Sequence, residues 1–226
     1  MDQQEQYLRQ LKTFFWENGH NPEDYQLERL AIFATLITKK NQSVNLISRK
    51  DIAHLVENHI FISAYLAEFL PDKVTSFLDI GTGGGLPGIP LAIVRPLLKG
   101  VLVDSIKKKI DAVDDFINKL KLSNVVAENS RVENPEFIEK YSNQFDLIVS
   151  RATVPLILLV SYSLPLIKEK AFLVSIKGGD LNDEIKKAEL KYKPHIKKLT
   201  VFELSYKPTN IRNEKEKKLI LLELNK

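Results

Sequence analysis

Apolar positions in the first seventy residues recur at helical spacing. Leu8, Leu11, Phe14 and Phe15 form one stripe. Leu27, Leu30, Ala31, Ala34 and Ile37 form a second, and Ile52, Leu55, Val56, Ile60, Ser63, Leu66, Ala67 and Leu70 a third. Residues three and four apart share one face of a helix, so each stripe predicts an amphipathic helix with its apolar side in a core. Asn18-Gly19 and Asn21-Pro22 break the chain between the first two. Ser48 and Asp51 have capping-box spacing at the start of the third.

From Val74 the period changes. Short β-rich apolar runs at 74–80, 100–104, 123–127, 145–150, 170–176, 198–204 and 217–224 predict strands. Helical stretches lie between them at 87–95, 106–122, 133–140, 153–167 and 181–191, and Pro96 stops the first of these. Strands that are apolar throughout and alternate with helices predict a doubly wound, mostly parallel α/β sheet. The last two strands have only Ser205 to Glu216 between them, which predicts an antiparallel pair. The expected division is a helical lobe over 1–70 and a sheet domain over 71–226.

Composition narrows the class. The 226 residues are 44% hydrophobic and 27% charged, as in soluble globular domains. No run of eighteen apolar residues predicts a membrane span. The start, MDQQEQYLRQLK, does not read as a secretory leader. With no cysteine there is no disulfide framework, thiolate metal site or cysteine nucleophile, and no metal is expected. A cytoplasmic monomer is the expectation. The net charge of +4 is uneven: residues 1–70 carry −2, 71–180 carry +1 and 181–226 carry +5. The C-terminal excess (Lys186, Lys187, Lys191, Lys193, Lys197, Lys198, Lys207, Arg212, Lys215, Lys217 and Lys218 contribute) admits either a polyanionic partner or a solvated lysine face.

The most informative stretch is FLDIGTGGGLPGIP. Five of nine glycines, Gly81, Gly83, Gly84, Gly85 and Gly88, fall within eight residues between the first strand and a helix. Such a turn lets a ligand lie against bare main chain, and it serves both dinucleotides and S-adenosylmethionine (SAM). Gly83-x-Gly85-x-x-Gly88 matches the dinucleotide pattern weakly, and no Gly-Lys-Ser/Thr follows to make a phosphate loop. Asp79, two residues before Gly81, would repel a pyrophosphate but suits the ammonium and sulfonium of SAM. Asp104 ends the second strand, where a carboxylate can take both ribose hydroxyls. These two residues tilt the reading from a nicotinamide dinucleotide to SAM. After the third strand, Val132 and Glu133 offer an apolar face and a polar edge for adenine. Arg151 follows the fourth strand and Lys177 the fifth. These two are the candidate catalytic groups, because no general base or nucleophile stands out. The residues leave ring nitrogens, hydroxyls and small molecules open as acceptors; among them guanine N7 presents an open lone pair at neutral pH and needs only in-line placement near the methyl group, which suits such a site. His59 lies on a mostly apolar helical face, where a hydrogen-bonded core histidine is the commoner role; it is kept as a candidate near the cleft.

Several motifs carry a resemblance. Asn45-Leu46, His59-Ile60, the block Asp79 to Pro90, Asp104-Ser105 with Lys108, Ser130-Arg131-Val132-Glu133 and Phe145-Asp146 come in one order with Ser150-Arg151-Ala152, Leu164-Pro165 and Lys177-Gly178. In these motifs the chain resembles the bacterial small-subunit ribosomal RNA guanine-N7 methyltransferases over nearly its full length. The resemblance implies a Rossmann-like SAM-dependent fold with a seven-stranded, mostly parallel sheet and an N-terminal helical extension. It implies methyl transfer to N7 of a guanine, with small-subunit rRNA or the assembled small subunit as partner. By position it makes Gly81, Leu86, Val132, Glu133 and Arg151 cofactor contacts, beside Asp79, Gly83 and Asp104 above. The chain departs from the family at Gly84 (usually Pro or Ala), Val44 (usually Tyr) and Ile62 (usually Asp).

Overall fold

A seven-stranded sheet organises the chain, with strand order β3-β2-β1-β4-β5-β7-β6. The structure is a computed structural model that describes residues 2–48, 50–151, 153–207 and 217–226. Arg212 and Lys215 of the basic segment, and Ala152 of the Ser150-Arg151-Ala152 motif, lie outside the described residues. The strands are β1 (Ser76–Ile80), β2 (Lys99–Asp104), β3 (Val125–Asn129), β4 (Phe145–Arg151), β5 (Ile167–Gly178), β6 (Ile196–Glu203) and β7 (Lys217–Asn225). The first five run parallel, and β7 is antiparallel to both β5 and β6. Order reverses between β1 and β4, which sets a crevice at the carboxyl ends of those strands.

Alternate residues of each strand point to opposite faces, and the core divides accordingly. Phe77, Leu102 and Leu147 face one apolar cluster. It contains helices α1 (Gln3–Glu17) and α2 (Asp24–Lys40) together with α4 (Gly88–Val94) and α5 (Lys107–Lys119). Leu78, Val101 and Ile148 face the other, under α6 (Pro135–Tyr141), α7 (Leu156–Ser163) and α8 (Asn182–Tyr192). The N-terminal helices therefore share a continuous core with one face of the sheet. Gln26 fastens them: its Oε1 accepts from Glu23 N at 3.0 Å, and its Nε2 donates to the terminal carbonyls of α4, Ile93 and Val94, at 3.2 Å. Those carbonyls have no partner within their own helix. An aromatic run joins the same helices to the far sheet edge. Phe61 stacks on Tyr65 with ring centroids 5.3 Å apart, Tyr65 meets Phe69, and Phe69 meets Phe202 of β6.

Two expectations need correction. The helix expected over 153–167 is α7 alone; it ends at Ser163, and β5 starts at Ile167. Pro165 has no N–H to extend the helical ladder, so the helix stops just after Leu164, which still holds helical angles (φ −53°, ψ −44°). The third apolar stripe is not one uniform helix. It runs as a 3₁₀ turn (Ile52–His54), a π-helical turn (Val56–Phe61), the α-helical turn α3 (Ile62–Tyr65) and a second 3₁₀ turn (Leu66–Phe69).

Candidate active site

A cavity of about 760 Å³ opens over the carboxyl ends of β1, β2, β4 and β5. Its floor is the glycine turn. Gly81 N and Thr82 N both donate to Val103 O, at 2.9 and 3.0 Å, so the turn is pinned to β2. Gly81 and Gly83 both have positive φ, +70° and +58°, a region costly for residues with a Cβ. A Cβ on Gly83 would meet no atom nearer than 4.0 Å, so the space above this residue is open cradle. Gly84 has a different role. A Cβ there would stand 3.0 Å from Leu46 Cβ, so glycine lets the loop after α2 close on the turn. That loop is held by Asn41, whose Oδ1 accepts from Leu46 N and Ile47 N at 2.8 and 2.9 Å.

Asp79 lies beneath the turn, fully buried and outside the cavity lining. Its Oδ2 accepts from Thr82 Oγ1 at 2.7 Å and Gly88 N at 2.8 Å, and its Oδ1 has no hydrogen-bond partner among the described residues. Burial raises its pKa to about 7, against the lowering by these two hydrogen bonds. In the structure the acid braces the turn from below. Asp104 does reach the cavity. Gly83 N donates to its Oδ2 at 3.0 Å and Ile106 N to its Oδ1 at 2.9 Å. Each oxygen keeps lone-pair capacity for a further donor.

Leu86, Val132 and Glu133 also line the cavity, with Ser130 and Arg131 beside them. Leu86 and Val132 are buried, and Glu133 lies 3.8 Å from Arg131. At the opposite end stand Arg151, His59, Asp51 and Lys177. Arg151 Nη1 lies 2.6 Å from His59 Nδ1. Burial lowers the Arg151 pKa to about 10, opposed by the charges of Asp79 and Asp51. Lys177 is engaged rather than open: its Nζ donates to Val154 O at 2.8 Å and pairs with Glu184 Oε1 at 2.6 Å. Glu184 also accepts from Leu156 N at the start of α7.

The turn, Asp104, the 130–133 loop and Arg151 thus meet at one cavity. Asn58, Lys217, Thr153 and Lys109 line it too, without having been singled out as site residues. Asn58 and Lys217 come together only through the tertiary fold, because 158 residues separate them in sequence. In the sequence Lys217 stands out only within the basic C-terminal segment, and the His59-Ile60 motif lies next to Asn58.

The class follows from the arrangement: a glycine turn without a phosphate-binding lysine, an acid at the end of β2 and a mostly parallel seven-stranded sheet define a Rossmann-like methyltransferase fold. Solved structures agree on the fold. A predicted O-methyltransferase from Agrobacterium tumefaciens superposes with a TM-score of 0.59 at 10% identity, over 73% of this chain and 81% of that one. TYW2 of M. jannaschii, solved in complex with AdoMet, gives 0.54 at 12% identity, over 81% and 78%. Sequence relatives are closer. The ribosomal RNA small subunit methyltransferase G of Chlorobaculum tepidum is 43% identical over 173 residues, covering 75% of this chain and 76% of its own. The model of the GidB family, described as rRNA small subunit methyltransferase G, matches residues 26–213, and the chain belongs to that family.

Proposed function

We propose that the protein transfers the methyl group of SAM to N7 of a guanine in small-subunit rRNA. The observation that carries this reading is one cavity that joins the glycine turn and Asp104 at one end to polar groups of the N-terminal helices at the other. The residues fit SAM. Gly83 leaves open space above the main chain. Asp104 keeps acceptor capacity for ribose hydroxyls, Val132 gives adenine an apolar face and Glu133 an acceptor at its edge. Arg151 supplies the charge for the methionyl carboxylate, as guanidinium–carboxylate pairing does elsewhere.

When bound, SAM supplies an electrophilic methyl group on a sulfonium. The residues have orientation as their main task. Methylation at N7 forms a carbon–nitrogen bond from the ring lone pair and breaks the carbon–sulfur bond, and the positive charge passes from sulfur to the base. No proton leaves, so no general base is required. In-line placement within van der Waals reach supplies much of such a rate. Leu46, Ile47 and Leu86 line the cavity beside the turn.

We further propose that residues 71–226 hold the cofactor and residues 1–70 present the target base. The expected setting is the cytoplasm, with the protein acting as a monomer on rRNA or the assembled subunit. Among the described residues no helix is long and apolar enough to cross a membrane. The test is to incubate the protein with labelled SAM and small subunits from a strain lacking it, then map the label by mass spectrometry. A methyl on N7 of one guanine is expected. Label on another atom, or none on rRNA, would overturn the reading.

A further inference from the structure

The third helical segment changes pitch where it meets the cavity. Between Val56 and Phe61 the chain takes a π-helical turn, a geometry concentrated at functional positions. It sets two successive polar residues, Asn58 and His59, against the cavity. Asn58 is held from β7, where Lys217 Nζ donates to its main-chain and side-chain oxygens at 2.8 and 2.9 Å. His59 meets Arg151 at 2.6 Å. A guanidinium has donors only, so Nδ1 of the imidazole is the acceptor and its proton sits on Nε2.

Arg151 depends on such a partner. It ends β4 beside the turn and faces the cavity. Asp79 and Asp51 act on it electrostatically, yet among the described residues no carboxylate lies within ion-pair distance of it. A long side chain without a fixed partner populates several rotamers. The imidazole contact, set from the opposite wall by the π turn, selects one.

Resting on the SAM reading of the cavity, we propose that His59 is a positioning residue: it accepts from Arg151 and keeps the guanidinium's other N–H groups turned to the carboxylate end of SAM. The N-terminal helices would then set cofactor affinity through a residue they do not themselves contain.

The experiment is a calorimetric double-mutant cycle on SAM binding, using His59→Ala, Arg151→Ala, the double variant and His59→Gln. His59→Ala should weaken binding by about tenfold or more, tenfold being the lower end of the scale for one hydrogen bond to a charged group. In the Arg151→Ala background the same change should cost nothing further. Gln retains an acceptor oxygen, so His59→Gln should recover most of the affinity. In the unmodified protein without SAM, the ¹⁵N shift of His59 Nδ1 should be that of an unprotonated nitrogen, a readout that survives if the Ala variant does not fold. Unchanged affinity in His59→Ala, additive losses, or a protonated Nδ1 would overturn the role of His59. Failure of the unmodified protein to bind SAM would instead sink the reading of the cavity, and this proposal with it.

Discussion

A carboxylate shut off from water must find its solvation in the protein, and Asp79 finds it for one oxygen only. Oδ2 holds Thr82 and Gly88, while Oδ1 has no partner among the described residues. The folded state therefore prefers the protonated acid, and burial lifts its pKa from 3.8 to about 7. The sign follows from linkage. Between those two values the native state binds more protons than the unfolded state, so this group's contribution to stability is complete below pH ~3.8 and is lost as pH rises through ~7. Asp79→Asn keeps an acceptor for both donors and cannot ionise. Melting temperatures of the two proteins should diverge across this window, with the unmodified protein losing stability relative to the variant as pH rises. Parallel curves would show that Asp79 ionises in the folded state as readily as in the unfolded one. The sequence placed Asp79 as a ligand-side anion; position two before Gly81 does not reveal whether the carboxylate faces up to the cavity or down beneath the turn. Neighbouring Asp104 had the same ambiguity and does face the cavity.

At the scale of elements, the turn between β1 and α4 separates two functions of glycine. Gly83 sits at φ +58° under open cradle, whereas Gly88 lies in packed protein, where a Cβ would fall 2.7 Å from Asp79 Oδ2 and 2.8 Å from Leu102 Cγ. Gly83→Val should leave a folded protein that fails to bind SAM, with a strain cost of about 1–2 kcal/mol. Gly88→Ala should instead cost about 1–3 kcal/mol through overpacking and loosen the Asp79 brace. Urea unfolding and calorimetry on both variants distinguish them; SAM binding retained in Gly83→Val would mean that the cofactor does not lie on this turn. The strands were legible because each is a short apolar run bounded by turn residues, and all seven fall where those runs lie. The start of β5 was not, because Ile167 and the apolar end of α7 read as one helical stretch unless Pro165 is given weight. The π turn was hidden for a related reason. Val56, Ile60 and Ser63 keep near-helical spacing across it, so the stripe gives no sign of the local change in pitch that aims His59 at Arg151.

For the whole molecule, contact with the partner is a matter of electrostatics. The net charge of +4 is modest, and the excess lies in residues 181–226. Lys186, Lys187, Lys191, Lys193, Lys197 and Lys198 of that segment are exposed in α8 and around β6, and Lys109 and Arg131 stand on the cavity wall. If these groups meet rRNA, each phosphate contact releases condensed counterions, and log affinity falls against log salt with a slope of about 0.7–0.9 per contact. Four contacts would lower affinity about 50–150-fold from 50 to 200 mM salt on that scale. SAM has no phosphate, and in the cavity proposed to hold it screening between charges is weaker than in open solvent. Its dissociation constant should therefore change by no more than about twofold over the same range. Measured side by side, kcat/KM for rRNA should fall steeply with salt while SAM binding stays nearly level. A salt-indifferent kcat/KM would assign the lysines to solvent and leave recognition of the acceptor to the cavity alone. A parallel fall in both would mean that the charges act on the cofactor end of the site, through the Arg151 and His59 pair, rather than on a polyanion outside it.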